Sequence, residues 1–120
     1  MISTSASLFD EARSILIEAG AEATADVVQL DDGQGHLFTL YKADPSVDWD
    51  WREGAIFLRR GVQLPDLANA VACMVECRWE GMFARVVQHI SANLSQTAWV
   101  LDGDSVLWDA SDVDPSEVCL

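Results

Sequence analysis

Two tryptophans alternate with acids in the run Asp48-Trp49-Asp50-Trp51-Arg52-Glu53. In an extended segment this alternation places both indoles on one side, with Asp48 and Asp50 on the other. Trp is enriched among the residues that dominate binding energy at interfaces, and a rim of acids suits a basic partner. Asp48, Trp49, Asp50, Trp51 and Glu53 are therefore candidate contacts for a protein partner. The same run also reads as a strand edge whose indoles tuck over the core.

Other residue types capable of chemistry are few. A Ser-His-Asp set can be drawn with His36 or His89, but no Gly-x-Ser-x-Gly elbow accompanies either. His36 reads as a surface strand residue and His89 as a packed helix residue. Cys73 and Cys77, four apart, share a face of an expected helix. With His89 they make three soft ligands, without a fourth at a recognised zinc spacing. Two small side chains in a core explain them more simply. Asp102-Gly103-Asp104 begins like a calcium loop, yet Asp109 and Asp112 do not supply the later glycine and distal glutamate. A type I′ turn accounts for Asp102-Gly103 without a metal. No phosphate loop, dinucleotide fingerprint or His-Glu-x-x-His motif is present. The chain is expected to be non-catalytic, with no cofactor and no metal.

Charge says more about partners. The 120 residues carry a formal net charge of −13. Phosphate backbones and anionic membrane surfaces would be repelled, so neither nucleic acid nor membrane is an expected partner. A basic protein surface would be attracted, with faster encounter. The acids are gathered at both ends of the chain. Residues 1–41 contain Asp10, Glu11, Glu18, Glu22, Asp26, Asp31 and Asp32 against Arg13 alone. Beyond Arg85 there is neither Lys nor Arg, but Asp102, Asp104, Asp109, Asp112, Asp114 and Glu117. An acidic face built from both ends would add Asp102, Asp104, Asp109 and Asp112 to the candidate contacts. A generally acidic, solubilising surface is the plainer alternative.

The elements that must position these residues follow from periodicity. Leu8, Ala12, Ile15, Leu16 and Ala19 fall on one helical face, which predicts a helix over 6–19 ended by Gly20. Asp26–Leu30 and His36–Lys42 read as a hairpin around Asp31-Asp32-Gly33-Gln34-Gly35. Residues 43–54 read as a polar loop, and 55–60 as a short strand. Pro65 and Asp66 suit a helix start, with Leu67, Ala70, Val71 and Met74 as its buried face. That helix is expected to break near Gly81 and resume to about Leu94. Thr97–Leu101 and Val106–Trp108 then form a last hairpin, on which Trp99 and Trp108 are expected to face one another. The order α-β-β-β-α-α-β-β predicts one α+β domain, a mostly antiparallel sheet with helices packed on one face.

The N-terminal residues lack a basic region ahead of an apolar run, and the three cysteines do not suggest a disulfide scaffold. Both features read as cytoplasmic. Size, acidity, the α/β pattern and the closing segment Trp99-Val100-Leu101-Asp102-Gly103-Asp104-Ser105-Val106-Leu107-Trp108-Asp109 resemble small acidic immunity proteins of bacterial toxin–immunity pairs, including those of contact-dependent growth inhibition. The resemblance implies a non-catalytic cytoplasmic monomer that joins one cognate toxin, often a nuclease with a basic surface, in a 1:1 complex. The element order also looks like that of dimeric type III secretion chaperones, which would imply a homodimer holding an extended effector segment.

Overall fold

The computed structural model describes residues 1–44 and 50–120. Among these residues eight strands form one sheet: β1 (Ile2–Ser3), β2 (Glu22–Ala23), β3 (Val27–Asp31), β4 (Leu37–Lys42), β5 (Phe57–Leu58), β6 (Val71–Cys77), β7 (Ala98–Leu101) and β8 (Val106–Asp109). Two α-helices, α1 (Leu8–Glu18) and α2 (Glu80–Asn93), complete the fold. The strand order is β2-β3-β4-β6-β1-β7-β8-β5. Every pair is antiparallel except β5 with β8. This is the α+β class that the sequence pattern indicates.

Both helices lie on one face of the sheet. Leu8, Ala12 and Leu16 of α1 and Met82, Val86, Val87 and Ile90 of α2 share one buried cluster with Val28, Phe38, Leu40, Val100 and Trp108 from the strands. Apolar residues spaced three and four apart on each helix supply that stripe, and the loss of their hydrated surface is the main force assembling the layers. A smaller cluster on the opposite face joins Ile2, Ala70 and Leu107 to Trp51, Ile56, Val62 and Trp99. The segment from Trp51 to Ala70 thus covers that part of the sheet.

Helix α1 begins at Leu8, and Ser7 at its N-cap uses its hydroxyl elsewhere: Oγ donates to the Glu11 carboxylate at 2.7 Å. Gly20 follows α1 at φ 102°, the left-handed conformation in which glycine ends helices at no steric cost.

Several expectations need correction. The helix read over residues 65–80 is a short 3₁₀ turn at Leu67–Asn69 followed by strand β6. The order is consequently β-α-β-β-β-β-β-α-β-β. Cys73 and Cys77 share a face as expected, but of a strand, because a spacing of four satisfies period two as well as a helical turn. Five residues of β6 pair with β4, and the sheet's demand for a central strand overrides the local helical spacing. Gly81 breaks nothing, being the second residue of α2. Only Phe57 and Leu58 of the strand expected over 55–60 pair, in parallel with β8. Trp99 and Trp108 do not face each other. Trp99 lies opposite Asp109 and Trp108 opposite Val100, so the one-residue offset sends the indoles to opposite faces.

The turn between β7 and β8 also differs from a type I′ turn. Asp102 C=O accepts from Ser105 N–H at 3.1 Å, and Ser105, at φ 62°, is the left-handed residue, while Gly103 is not. Gly103 serves close approach instead: a Cβ there would meet Cys119 Sγ at 3.2 Å and its carbonyl oxygen at 3.3 Å.

Candidate functional site

The residues singled out in the sequence separate into three groups. Asp48 and Trp49 lie outside the described residues. Asp50, Trp51 and Asp102 come together: all three line one open cavity of about 890 Å³. Glu53, Asp104, Asp109 and Asp112 do not line it.

Each of the three is fixed by its local structure. Asp50 caps the 3₁₀ turn Trp51–Glu53 by accepting Arg52 N–H at 3.0 Å. The Arg52 N–H, and then its guanidinium, hold the Asp50 carboxyl below the usual carboxylate range. Arg52 also donates Nε–H to Leu67 C=O at 2.9 Å and an N–H to Ala70 C=O, tying the turn to the start of β6. Its guanidinium sits 4.6 Å from the centre of the Trp51 ring, a cation–π arrangement that holds the indole against the second cluster.

Asp102 organises the other wall. Its Oδ1 accepts Asp104 N–H at 2.9 Å and Val106 N–H at 3.0 Å. Its Oδ2 accepts the Trp108 indole N–H at 2.9 Å and Cys119 N–H at 3.3 Å. Four donors on one carboxylate satisfy a buried indole, shape the hairpin and pin the C-terminal residues. Asp102 thus builds the site rather than presenting a free charge. Asp109 likewise serves a local turn, accepting Ser111 N–H at 2.9 Å and Ser111 O–H at 2.7 Å.

The remaining lining comes from residues that sequence reasoning did not flag as partner contacts. Met1 lines it too, with its buried terminal amino group donating to Cys73 C=O at 2.7 Å. Burial pushes the pKa of that amine down to about 6, against the opposing pull of Cys73. Strand β6 contributes residues of both faces, Cys73, Val75 and Cys77 from the helix side and Ala72, Met74 and Glu76 from the other. Burial raises the Cys73 thiol to about 11, so it stays protonated and unreactive near neutrality. Phe9 and Phe83 reach the cavity from the helices. The alternation of β-branched Val71 and Val75 with Ala72, Met74 and Glu76 is the signal that would have marked this strand.

The histidines stand apart from the cavity. His36 Nδ1 lies 2.8 Å from Asp32 Oδ2, and its ring packs on Trp79 with centroids 4.4 Å apart. His89 is exposed on α2 rather than packed. Among the described residues no group of three His, Cys, Asp or Glu side chains is placed to hold a metal ion. None of their helices is long and apolar enough to cross a membrane. The arrangement suits non-covalent recognition, an apolar recess with polar backbone and a few charges at its mouth.

No protein family, curated protein or solved structure matches the chain.

Proposed function

We propose that this chain is an immunity protein: a non-catalytic, cytoplasmic monomer that binds one cognate toxin with a basic surface, of the nuclease kind, and covers its active site. The observation that carries the reading is the meeting of the Asp50–Trp51 turn and the Asp102 hairpin at a single cavity, on a chain of net charge −13. A basic cleft that cuts nucleic acid gains long-range attraction from such a partner, and an apolar recess provides the short-range anchor.

The experiment is co-purification from the source cell followed by native mass spectrometry. The expected result is a 1:1 complex with a protein whose expression alone arrests growth and whose effect this chain reverses. The complex should form more slowly as salt rises, since the Debye length falls from ~10 Å at 0.1 M to ~3 Å at 1 M. A stable homodimer carrying an effector segment would replace the immunity reading with that of a secretion chaperone.

A further inference from the structure

From the cross-strand register we infer that one half of the sheet face opposite the helices is a docking surface for a basic, amphipathic α-helix of a partner protein.

Pairing fixes which side chains share that face, because residues directly opposite one another in a sheet point the same way. Glu22 lies opposite Gln29, Gln29 opposite Thr39, and Thr39 opposite Glu76. These four make one row across β2, β3, β4 and β6. Two residues along each strand comes the next row of the same face, Val27, Tyr41 and Met74. On the other side of the polar row, Asp31 lies opposite Leu37. The intervening rows, Val28 with Leu40 and Val75, and Leu30 with Phe38 and Cys77, go to the helix-side core.

This half of the face is open. The second apolar cluster draws on β1, β7, β8 and Ala72 of β6, and on no residue of β3 or β4. Met74 is accordingly 57 % exposed and Leu37 37 %. Glu22, Gln29, Asp31 and Glu76 are exposed beside them. A sheet face that meets only water alternates cleanly to polar residues. Val27, Leu37, Tyr41 and Met74 depart from that pattern, as expected of a face that meets a partner.

The charges select the partner. Gln29 Nε2–H donates to Thr39 Oγ1 at 3.0 Å, so the middle of the polar row is satisfied within the sheet. Its two ends are carboxylates, three strand spacings or about 14 Å apart. Among the described residues, neither Glu22 nor Glu76 has a hydrogen bond or an ion pair. Asp31 adds a third acid, and Arg78, just past β6, follows the same alternation only at the row farthest from Met74. Lys and Arg of a partner complement this face. A second copy of the chain, meeting it about a two-fold axis, would set the acids against themselves.

The apolar row selects the shape. Val27, Tyr41 and Met74 span two strand spacings, about 10 Å, and helical residues i and i+7 on one stripe lie about 10.5 Å apart. A helix laid along the row therefore seats apolar residues at i, i+3 or i+4, and i+7. Lys or Arg on its flank reaches Glu22 and Glu76, with the long stems covering apolar surface on the way. The face measures about 200 Å² in projection, against ~800 Å² per partner in a stable complex. It is thus one part of a larger contact. Met74 and Glu76 also line the cavity, so a single partner covers both. That this partner is a toxin rests on the proposed function.

The face is tested without that partner. The probe is the peptide acetyl-Ala-Ala-Lys-Leu-Lys-Ala-Leu-Leu-Ala-Lys-Leu-Lys-Ala-Ala-amide, titrated into the protein and followed by NMR of methyl groups. Val27 and Leu37 report on the face and do not line the cavity. Their signals should shift together with that of Met74, with a Kd on the order of 0.1 mM. Glu76→Lys and Met74→Ser should each raise that Kd at least about fivefold. Glu18→Lys, the same change of charge at an exposed position on α1, should raise it less than about twofold. The peptide with glutamate in place of every lysine should not bind. Equal losses in Glu76→Lys and Glu18→Lys would overturn the inference, because general acidity would then account for binding. So would absent shifts at Val27 and Leu37, or a homodimer that covers Met74 and Leu37. Face-specific binding of the probe, with no toxin among the cellular partners, would leave the docking surface standing and remove only the immunity reading.

Discussion

Replacing Asp102 tests whether that residue acts by folding the site. In Asp102→Ala four donors lose their acceptor: the N–H groups of Asp104, Val106 and Cys119, and the Trp108 indole N–H. The Asp104 N–H is exposed and the Val106 and Cys119 N–H groups are only partly buried, so water replaces part of their loss. Trp108 is only 2 % exposed, so its N–H has no such recourse. Leaving a buried donor unsatisfied costs about 1–3 kcal/mol, and a bond to a charged acceptor contributes about 1.5–3 kcal/mol. Together these give about 3 kcal/mol, or roughly 12 °C in melting temperature for a chain of this size. Asp102→Asn retains an oxygen for the Asp104 and Val106 N–H groups but turns an amide NH₂ toward Trp108 and Cys119. It should lose about half as much. Asp112→Ala, an exposed position, should stay within about 0.5 kcal/mol. Urea unfolding followed by Trp fluorescence and near-UV circular dichroism reads all three. An unchanged midpoint in Asp102→Ala, or Asn equal to Ala, would refute the assigned bonding.

Three further outcomes follow from other contacts. The Met1 amine, lowered from 8.0 to about 6 by burial, binds a proton less readily in the folded state than in the unfolded one. Stability should therefore rise between about pH 6 and pH 8, by about 2–3 kcal/mol in all, and denaturant titrations of N-acetylated protein should lose this slope. Glu11 is held down to about 2, first by the Ser7 hydroxyl and then by Ser95. Its contribution is present above pH 4.5 and lost as pH falls through about 2, so Glu11→Gln should be less stable than the parent at pH 7 and equal to it near pH 2. Trp51→Ala, removing an indole that lines the cavity, should weaken partner binding by about 2 kcal/mol, or about 30-fold in Kd by calorimetry. Unchanged affinity in a folded variant would remove that wall from the interface.

Legibility in the sequence divides along physical lines. The periodicity of Leu8, Ala12, Ile15 and Leu16 marks α1 because an amphipathic helix needs only its own spacing. The hairpins at 26–42 and 97–108 are marked by turn residues between alternating runs. Strand β6 was hidden because Leu67, Ala70, Val71 and Met74 fit a helical face while Cys73 and Cys77 fit either period, and only pairing with β4 decides between them. The site was hidden for the same reason. Asp50, Trp51 and Asp102 could be named from composition, but the cavity they border exists only once the Trp51–Glu53 turn and the β7–β8 hairpin meet on the folded sheet. Asp102 stood out as an acid, yet its role in satisfying Trp108 depends on a hairpin register that sends the two indoles of β7 and β8 to opposite faces.

Amide hydrogen exchange at single-residue resolution, with and without a basic polypeptide partner, tests the cavity as the recognition site most directly. A partner seated there predicts slowing of at least about tenfold at Val75, Cys77 and Leu101, which line the cavity and would be shielded from water. Exchange unchanged at those three amides, with protection appearing instead along the exposed Phe57–Leu58 edge, would contradict it.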